Sequence, residues 1–329
     1  MPNKLKNIIL FGAFVLLSSG CASTSEKMPE KLDTTTKGLS LMDVSPPAES
    51  KEVMREAVML FNDAMSKMRF VPEKALFDFE AATKKVPGFN AAHFNLALAY
   101  LQINETKKAR KSLYTTIRAG VKSSEVYTAL GQTYMLEKKK KKAMRAFNYA
   151  NTIKKQASTI INLANLHQLD GKFKQAKELY EKAEKIEPDN AMIDYNFGLL
   201  LLNHGEVEEA TKKLKKALKL KDEYPQVISA YAKALLFSGK ADIALKFYEE
   251  IIENNPALAA PYKDMGIIYE MYKRDYAKAM THYKIYLALR RAGASPTWDS
   301  EDDETSYKED EVNVWYEVVK QRVAKRKRR

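Results

Sequence analysis

The chain has 329 residues, of which 45% are apolar and 29% charged, against only 12 glycines and 11 prolines. That balance suits a long, mostly helical, soluble body rather than a β protein or a disordered one. The formal net charge is +13 and there is one cysteine, Cys21, so anionic partners have to be weighed and no disulfide can form within the chain.

The first element is a short apolar one. Lys4 and Lys6 precede an apolar run from Ile8 to Leu17, followed by Ser18-Ser19-Gly20-Cys21. About 20 apolar residues are needed to span a bilayer, so the run reads as an export signal. The four residues ending in cysteine resemble a bacterial lipobox, although Ser18 stands where leucine is commonest. The resemblance implies that residues 1–20 are a lipoprotein signal peptide and that Cys21 carries lipid. The rival reading is an ordinary signal peptide or an uncleaved anchor. Ala22 is not the aspartate that resembles an inner-membrane retention signal, which points to a lipid anchor on the periplasmic face of a bacterial outer membrane. Residues 21–50 are rich in Ser, Thr, Pro and Lys and cannot bury a core. As a flexible tether they would hold the body roughly 30 Å from the bilayer.

From residue 51 to 293 the sequence repeats itself. Small residues recur at Ala97, Gly131, Ala164, Gly198, Ala232 and Gly266, spaced by 34, 33, 34, 34 and 34. A second series, Ala75, Ala109, Ala143, Ala176, Ala210, Ala244 and Ala279, is spaced by 34, 34, 33, 34, 34 and 35. Each period therefore holds two helices, with Gly or Ala where two backbones approach closely. Phe79, Leu113, Phe147, Tyr180, Leu214, Tyr248 and Tyr283 follow the second-series alanines at i+4, on the same helix face. Gly171, Gly205 and Gly239 suit helix ends, and Pro87, Pro188 and Pro256 close three periods.

The stretch Tyr195-Asn196-Phe197-Gly198 with Ala210, and Ile161-Asn162-Leu163-Ala164 with Ala176, Tyr180, Ala183 and Pro188, closely resembles the tetratricopeptide repeat. The resemblance implies an all-α, right-handed superhelical solenoid of about seven helix-turn-helix repeats, with a C-terminal capping helix. Repeat one departs from the pattern, with Asp63 at the small-residue place and Ala64 beside it. Repeat seven has one extra residue near Lys273-Arg274-Asp275. By the same resemblance the first helices line a concave groove that binds envelope proteins or peptides. Its groove-facing places hold Phe94, Leu98, Leu101, Gln132, Met135, Asn165, Tyr195, Leu199, Lys233 and Lys263. Such a groove is apolar toward its N-terminal part and basic toward its end.

Residues 294–310 form an acidic linker, including Asp299-Ser300-Glu301-Asp302-Asp303-Glu304. Residues 311–329 then resume as a helix with Val312, Trp315, Val319 and Val323 along one side, ending in a basic tail. A terminal repeat leaves an apolar face that a capping helix covers; the other reading is a segment that docks on a partner.

No catalytic chemistry is legible. His93, His167, His204 and His282 are scattered, with no HExxH spacing, Cys-x-x-Cys pair, phosphate loop or calcium loop. No cofactor or metal is therefore expected, and the chain reads as a scaffold rather than an enzyme. Without the signal the net charge is +11. Lys138–Lys142 and Lys325–Arg329 are either solvated runs or contacts for anionic headgroups, lipopolysaccharide phosphates or acidic proteins. Export makes nucleic acid an unexpected partner; for a chain that is not exported it becomes the first rival. Within the envelope the function is assembly or localisation of other proteins, resembling pilotin-type lipoproteins or adaptors of peptidoglycan enzymes, with a purely structural spacer as the alternative. The oligomeric state is not legible.

Overall fold

The structure, a computed structural model, describes residues 51–68, 71–221, 224–294 and 309–327. Cys21, the signal, the tether and most of the acidic linker lie outside the described residues. Those described are helices and turns, with no strand among them, in agreement with the all-α expectation.

The described chain forms two compact units, divided after Ile186. The first holds four helix pairs: α1 (Lys51–Met68) with α2 (Pro72–Lys85), α3 (Asn90–Gln102) with α4 (Thr106–Arg118), α5 (Ser124–Leu136) with α6 (Lys140–Ile153), and α7 (Ala157–Leu169) with α8 (Phe173–Ile186). The second holds three pairs: α9 (Ala191–His204) with α10 (Val207–Leu220), α11 (Pro225–Phe237) with α12 (Ala241–Asn254), and α13 (Ala259–Ile268) with α14 (Tyr276–Arg291). A last helix, α15 (Glu309–Lys327), follows them.

The two helices of a pair are built differently. The second helices carry one buried stripe, as Ala210, Leu214 and Ala217 in α10, because only one face meets the core. The first helices after α1 are covered more widely; in α3 every residue from Ala91 to Leu101 except His93 is buried, whereas α1 buries only Ala57, Phe61, Ala64 and Met68. Where the pairs cross, the small residue is a steric requirement. A Cβ placed on Gly131 would stand 2.4 Å from the Phe147 ring, and one on Gly266 would stand 2.4 Å from Tyr283.

Both irregularities of the repeat are absorbed locally. In repeat one the register slips by one residue, so that Ala64 is wholly buried while Asp63 is exposed. In repeat seven the extra residue is taken up by a π-helical turn, Tyr269–Lys273, which continues α13. The backbone N–H of Asp275 donates to the Tyr269 carbonyl across it, at 2.9 Å.

Each turn between the helices of a pair, from repeat two onward, contains one left-handed residue. Gly171, Gly205 and Gly239 supply it in repeats four to six, whereas Asn104, Lys138 and Arg274 do so with φ of 59°, 57° and 53°. The capping expectation holds. Val312 and Val319 of α15 are wholly buried, and the Trp315 ring lies 6.0 Å from that of Tyr283. Arg322 Nη1 donates to Glu270 Oε1 at 3.1 Å and its guanidinium lies over the Tyr276 ring. The helix begins at Glu309, two residues before the expected boundary.

Candidate partner-binding surface

The structure divides the expected groove residues into two kinds. Phe94, Leu98, Leu101, Tyr195 and Leu199 are buried and fill the interior instead of offering surface. The reason is coverage: α3 is packed on by α2, α4 and α5, and α9 by α10 and α11, so apolar residues on these first helices meet other helices and not a partner. Gln132, Met135, Asn165, Lys233 and Lys263 keep partial exposure.

In the first unit α5 and α7 run side by side, joined by the Thr128 and Thr159 hydroxyls at 2.7 Å and by Gln156 donating to Glu125 at 2.6 Å. That pairing places Gln132 and Met135 on one helix and Asn165 on its neighbour. Asn165 is oriented from below, since its side-chain oxygen accepts from the buried Tyr180 hydroxyl. Burial pushes the Tyr180 phenol far above its usual range, so it stays a donor. The accessible part of this surface is mainly polar, with Met135 as its apolar member.

The expected basic end is also tempered. Lys233 Nζ lies 3.5 Å from Asp264 Oδ2, and Asp264 accepts from the Tyr248 hydroxyl at 3.2 Å. The lysine thus faces a carboxylate from the next first helix, and the local charge is balanced.

The turns between paired helices form a second candidate surface. Arg110 of α4 donates to Glu137 at 2.8 Å, and Lys139 reaches the same carboxylate at 2.6 Å. Burial opposes ionisation of Glu137, but the hydrogen bonds from Lys139 and Arg110 prevail and hold its carboxyl below the usual range. One repeat on, Lys140 pairs with Asp170, whose carboxyl that lysine lowers. Within the run 138–142 Lys139 and Lys140 are therefore structural, and Lys142 lies over the Tyr134 ring. Lys138 and Lys141 are exposed. Sequence spacing concealed this edge because its residues come from successive repeats; the signal available was the scarcity of carboxylates between residues 105 and 155.

The histidines do not converge. His93 contacts the Pro87 carbonyl at 3.0 Å, and His282 stacks on Tyr269 with ring centroids 5.2 Å apart. No group of His, Cys, Asp or Glu able to hold a metal is found among the described residues. No described helix is long and apolar enough to cross a membrane.

Two family models, both described as tetratricopeptide repeat, match residues 72–124 and 126–265. The regulatory protein RapG of Bacillus subtilis is 28% identical over 146 residues, covering 40% of this chain and 40% of RapG. The chain spans half or less of the length of the curated relatives it matches. Among solved structures, a tetratricopeptide repeat protein from Parabacteroides merdae superposes with a TM-score of 0.56 at 12% identity, over 80% of this chain and 99% of that one. PilF of Pseudomonas aeruginosa gives 0.54 at 17% identity, over 63% and 95%. At such identities the likeness is one of fold. The chain is a tetratricopeptide-repeat protein.

Proposed function

We propose that this protein is an outer-membrane-anchored periplasmic scaffold that binds other envelope proteins and serves their assembly or localisation. Its coarser part is plain: a tetratricopeptide-repeat scaffold mediates protein–protein interaction. The observation that carries the reading is the division of the first helices. Phe94, Leu98, Leu101, Tyr195 and Leu199 are consumed inside, while Gln132, Met135 and Asn165 remain accessible on two adjacent helices held by hydrogen bonds. Largely polar and supported by side-chain hydrogen bonds, that surface suits a protein or an extended peptide. The envelope part rests on Ser18-Ser19-Gly20-Cys21 and the apolar run before it. Within it, a pilotin-like role and a peptidoglycan-enzyme adaptor role are the two competing forms of this proposal.

The testing experiment is a capture from envelope extract by the mature chain, compared with Gln132→Ala/Asn165→Ala. A specific partner that the double variant loses supports the scaffold; recovery of the same partner by both moves binding away from Gln132 and Asn165, and capture of none leaves a spacer. Labelling with radioactive palmitate, in the natural chain and in Cys21→Ser, tests the anchor. Cys21→Ser is expected to lose the label and to come off membranes in a salt wash, because the acylated cysteine is the lipid anchor proposed.

A further inference from the structure

The positive charge of this protein is concentrated. Residues 105–155 hold 14 lysines and arginines against three glutamates, in a chain whose whole excess is +13. Helices α4 and α6 lie in this stretch and contain no carboxylate. All three glutamates are engaged: Glu137 is taken by Arg110 and Lys139, Glu125 accepts from Gln156, and Glu105 lies 3.9 Å from Lys108.

The cations also stand where helix physics disfavours them. Lys107 and Lys108 occupy the first turn of α4, and Lys140, Lys141 and Lys142 that of α6. Positive charge there opposes the positive end of the helix dipole. Three other second helices do the reverse: α2 opens with Glu73, α10 with Glu208 and Glu209, and α12 with Asp242. The ion pair Arg110–Glu137 brings the start of α4 beside the turn that opens α6, so the charges share one edge. On it Lys107, Lys111, Lys138, Lys141 and Arg145 are exposed, and none of the five is ion-paired with a described residue.

We propose that this edge binds an anionic phospholipid surface, as a second membrane contact beside the lipid anchor; the inference rests on the reading of Cys21 as that anchor. Four of the five cations are lysines, compact hydrated charges that suit a diffuse layer of headgroups; arginine would favour bidentate recognition of a fixed phosphate or carboxylate. The edge belongs to the unit that comes first after Cys21 in the chain; with residues 21–50 read as a flexible tether, it would stay roughly 30 Å from the bilayer. One lipid signal together with a basic patch is a stable mode of attachment.

The test uses the chain from residue 21 onward with Cys21→Ser, which keeps every described helix, and vesicles of phosphatidylcholine alone or mixed with phosphatidylglycerol. Binding to the mixed vesicles only, weakening with salt, is expected. Replacing Lys107, Lys111, Lys138, Lys141 and Arg145 by glutamine should reduce it by more than about 100-fold, since each basic residue near such a surface contributes about fivefold. Serines at 325–329 should change it little. The glutamine variant should melt no lower than the parent; should it do so, Lys138→Gln/Lys141→Gln alone, in an exposed turn, must still weaken binding. Equal binding to both vesicles, loss with the tail variant instead, or tighter binding to random-sequence DNA at the same salt overturns the proposal. Palmitate labelling separates the two readings. An unlabelled chain with the vesicle preference overturns the anchor alone, and a labelled chain without it overturns the edge alone.

Discussion

Gly198 of α9 lies against Leu214 of α10 so closely that a Cβ on the glycine would come within 2.5 Å of the leucine Cγ. The atom met is the branch point of a buried side chain and cannot swing away. Gly198→Ala is therefore expected to destabilise by about 1–3 kcal/mol, and Gly198→Leu by more. Stability in repeat arrays is shared between neighbours, so protection from hydrogen exchange should drop in α11 and α12 as well. An unchanged denaturant midpoint for Gly198→Leu would mean that the two helices do not cross here.

The contact of α15 with repeat seven can be weighed against the basic tail. Val312→Ala with Val319→Ala removes four buried methyl groups, a loss of about 3 kcal/mol at ~0.8 kcal/mol each. Amides of α14 should then exchange faster. Serines in place of Lys325–Arg329 should stay within about 0.5 kcal/mol of the parent, as surface changes usually do. Melting curves that rank the two variants the other way round would remove the cap.

The left-handed turn residues supply a backbone test. Lys138 and Arg274 hold φ of 57° and 53°, a conformation that costs a residue with a Cβ roughly 1–2 kcal/mol. Lys138→Gly and Arg274→Gly should each stabilise by about 0.5–1 kcal/mol after the larger entropy lost by glycine on folding. Gly205→Ala should destabilise by about 1 kcal/mol although nothing stands within 4 Å of the added Cβ. Chemical denaturation of the three variants measures the sign directly.

Stability should also depend on pH through the histidines. Burial lowers the pKa of His93, of His167 and of His282, with Lys172 adding to the second and Lys278 to the third. A base whose folded pKa lies below its unfolded 6.5 leaves more protons on the unfolded chain as pH falls through that region. The folded state is then progressively penalised below about pH 6.5, and stability rises with pH until the histidines are neutral in both states. Denaturant midpoints at pH 7.5 and 5.5 should differ in that direction. His282→Phe, which keeps an aromatic ring against Tyr269, should narrow the gap; a wider gap would show that His282 gains its proton on folding.

Much of the fold was legible because helix packing writes a period. Ala97 through Gly266 recur at one repeat length for the steric reason that Gly131, Gly198 and Gly266 show directly. The turns were legible only in part: Gly171, Gly205 and Gly239 announce a left-handed residue, but Asn104, Lys138 and Arg274 take the same conformation without announcing it. Turn geometry there is imposed by the two helices it must join, not by the residue's own preference.

The candidate surface was much less legible. A position count along a first helix does not say how many neighbours close over it. By sequence alone Phe94 and Leu98 are as eligible for a groove as Gln132, yet the first two are buried and the third is not. The run Lys138–Lys142 likewise determined that this turn is strongly basic. Which of its lysines are neutralised was decided by Glu137 within the turn and by Asp170 one repeat away. Apolar periodicity is a local property, because each helix must bury a face whatever its neighbours are. Exposure and charge pairing are tertiary properties, because burial and Coulomb energy depend on atoms that only the stacking of repeats brings together.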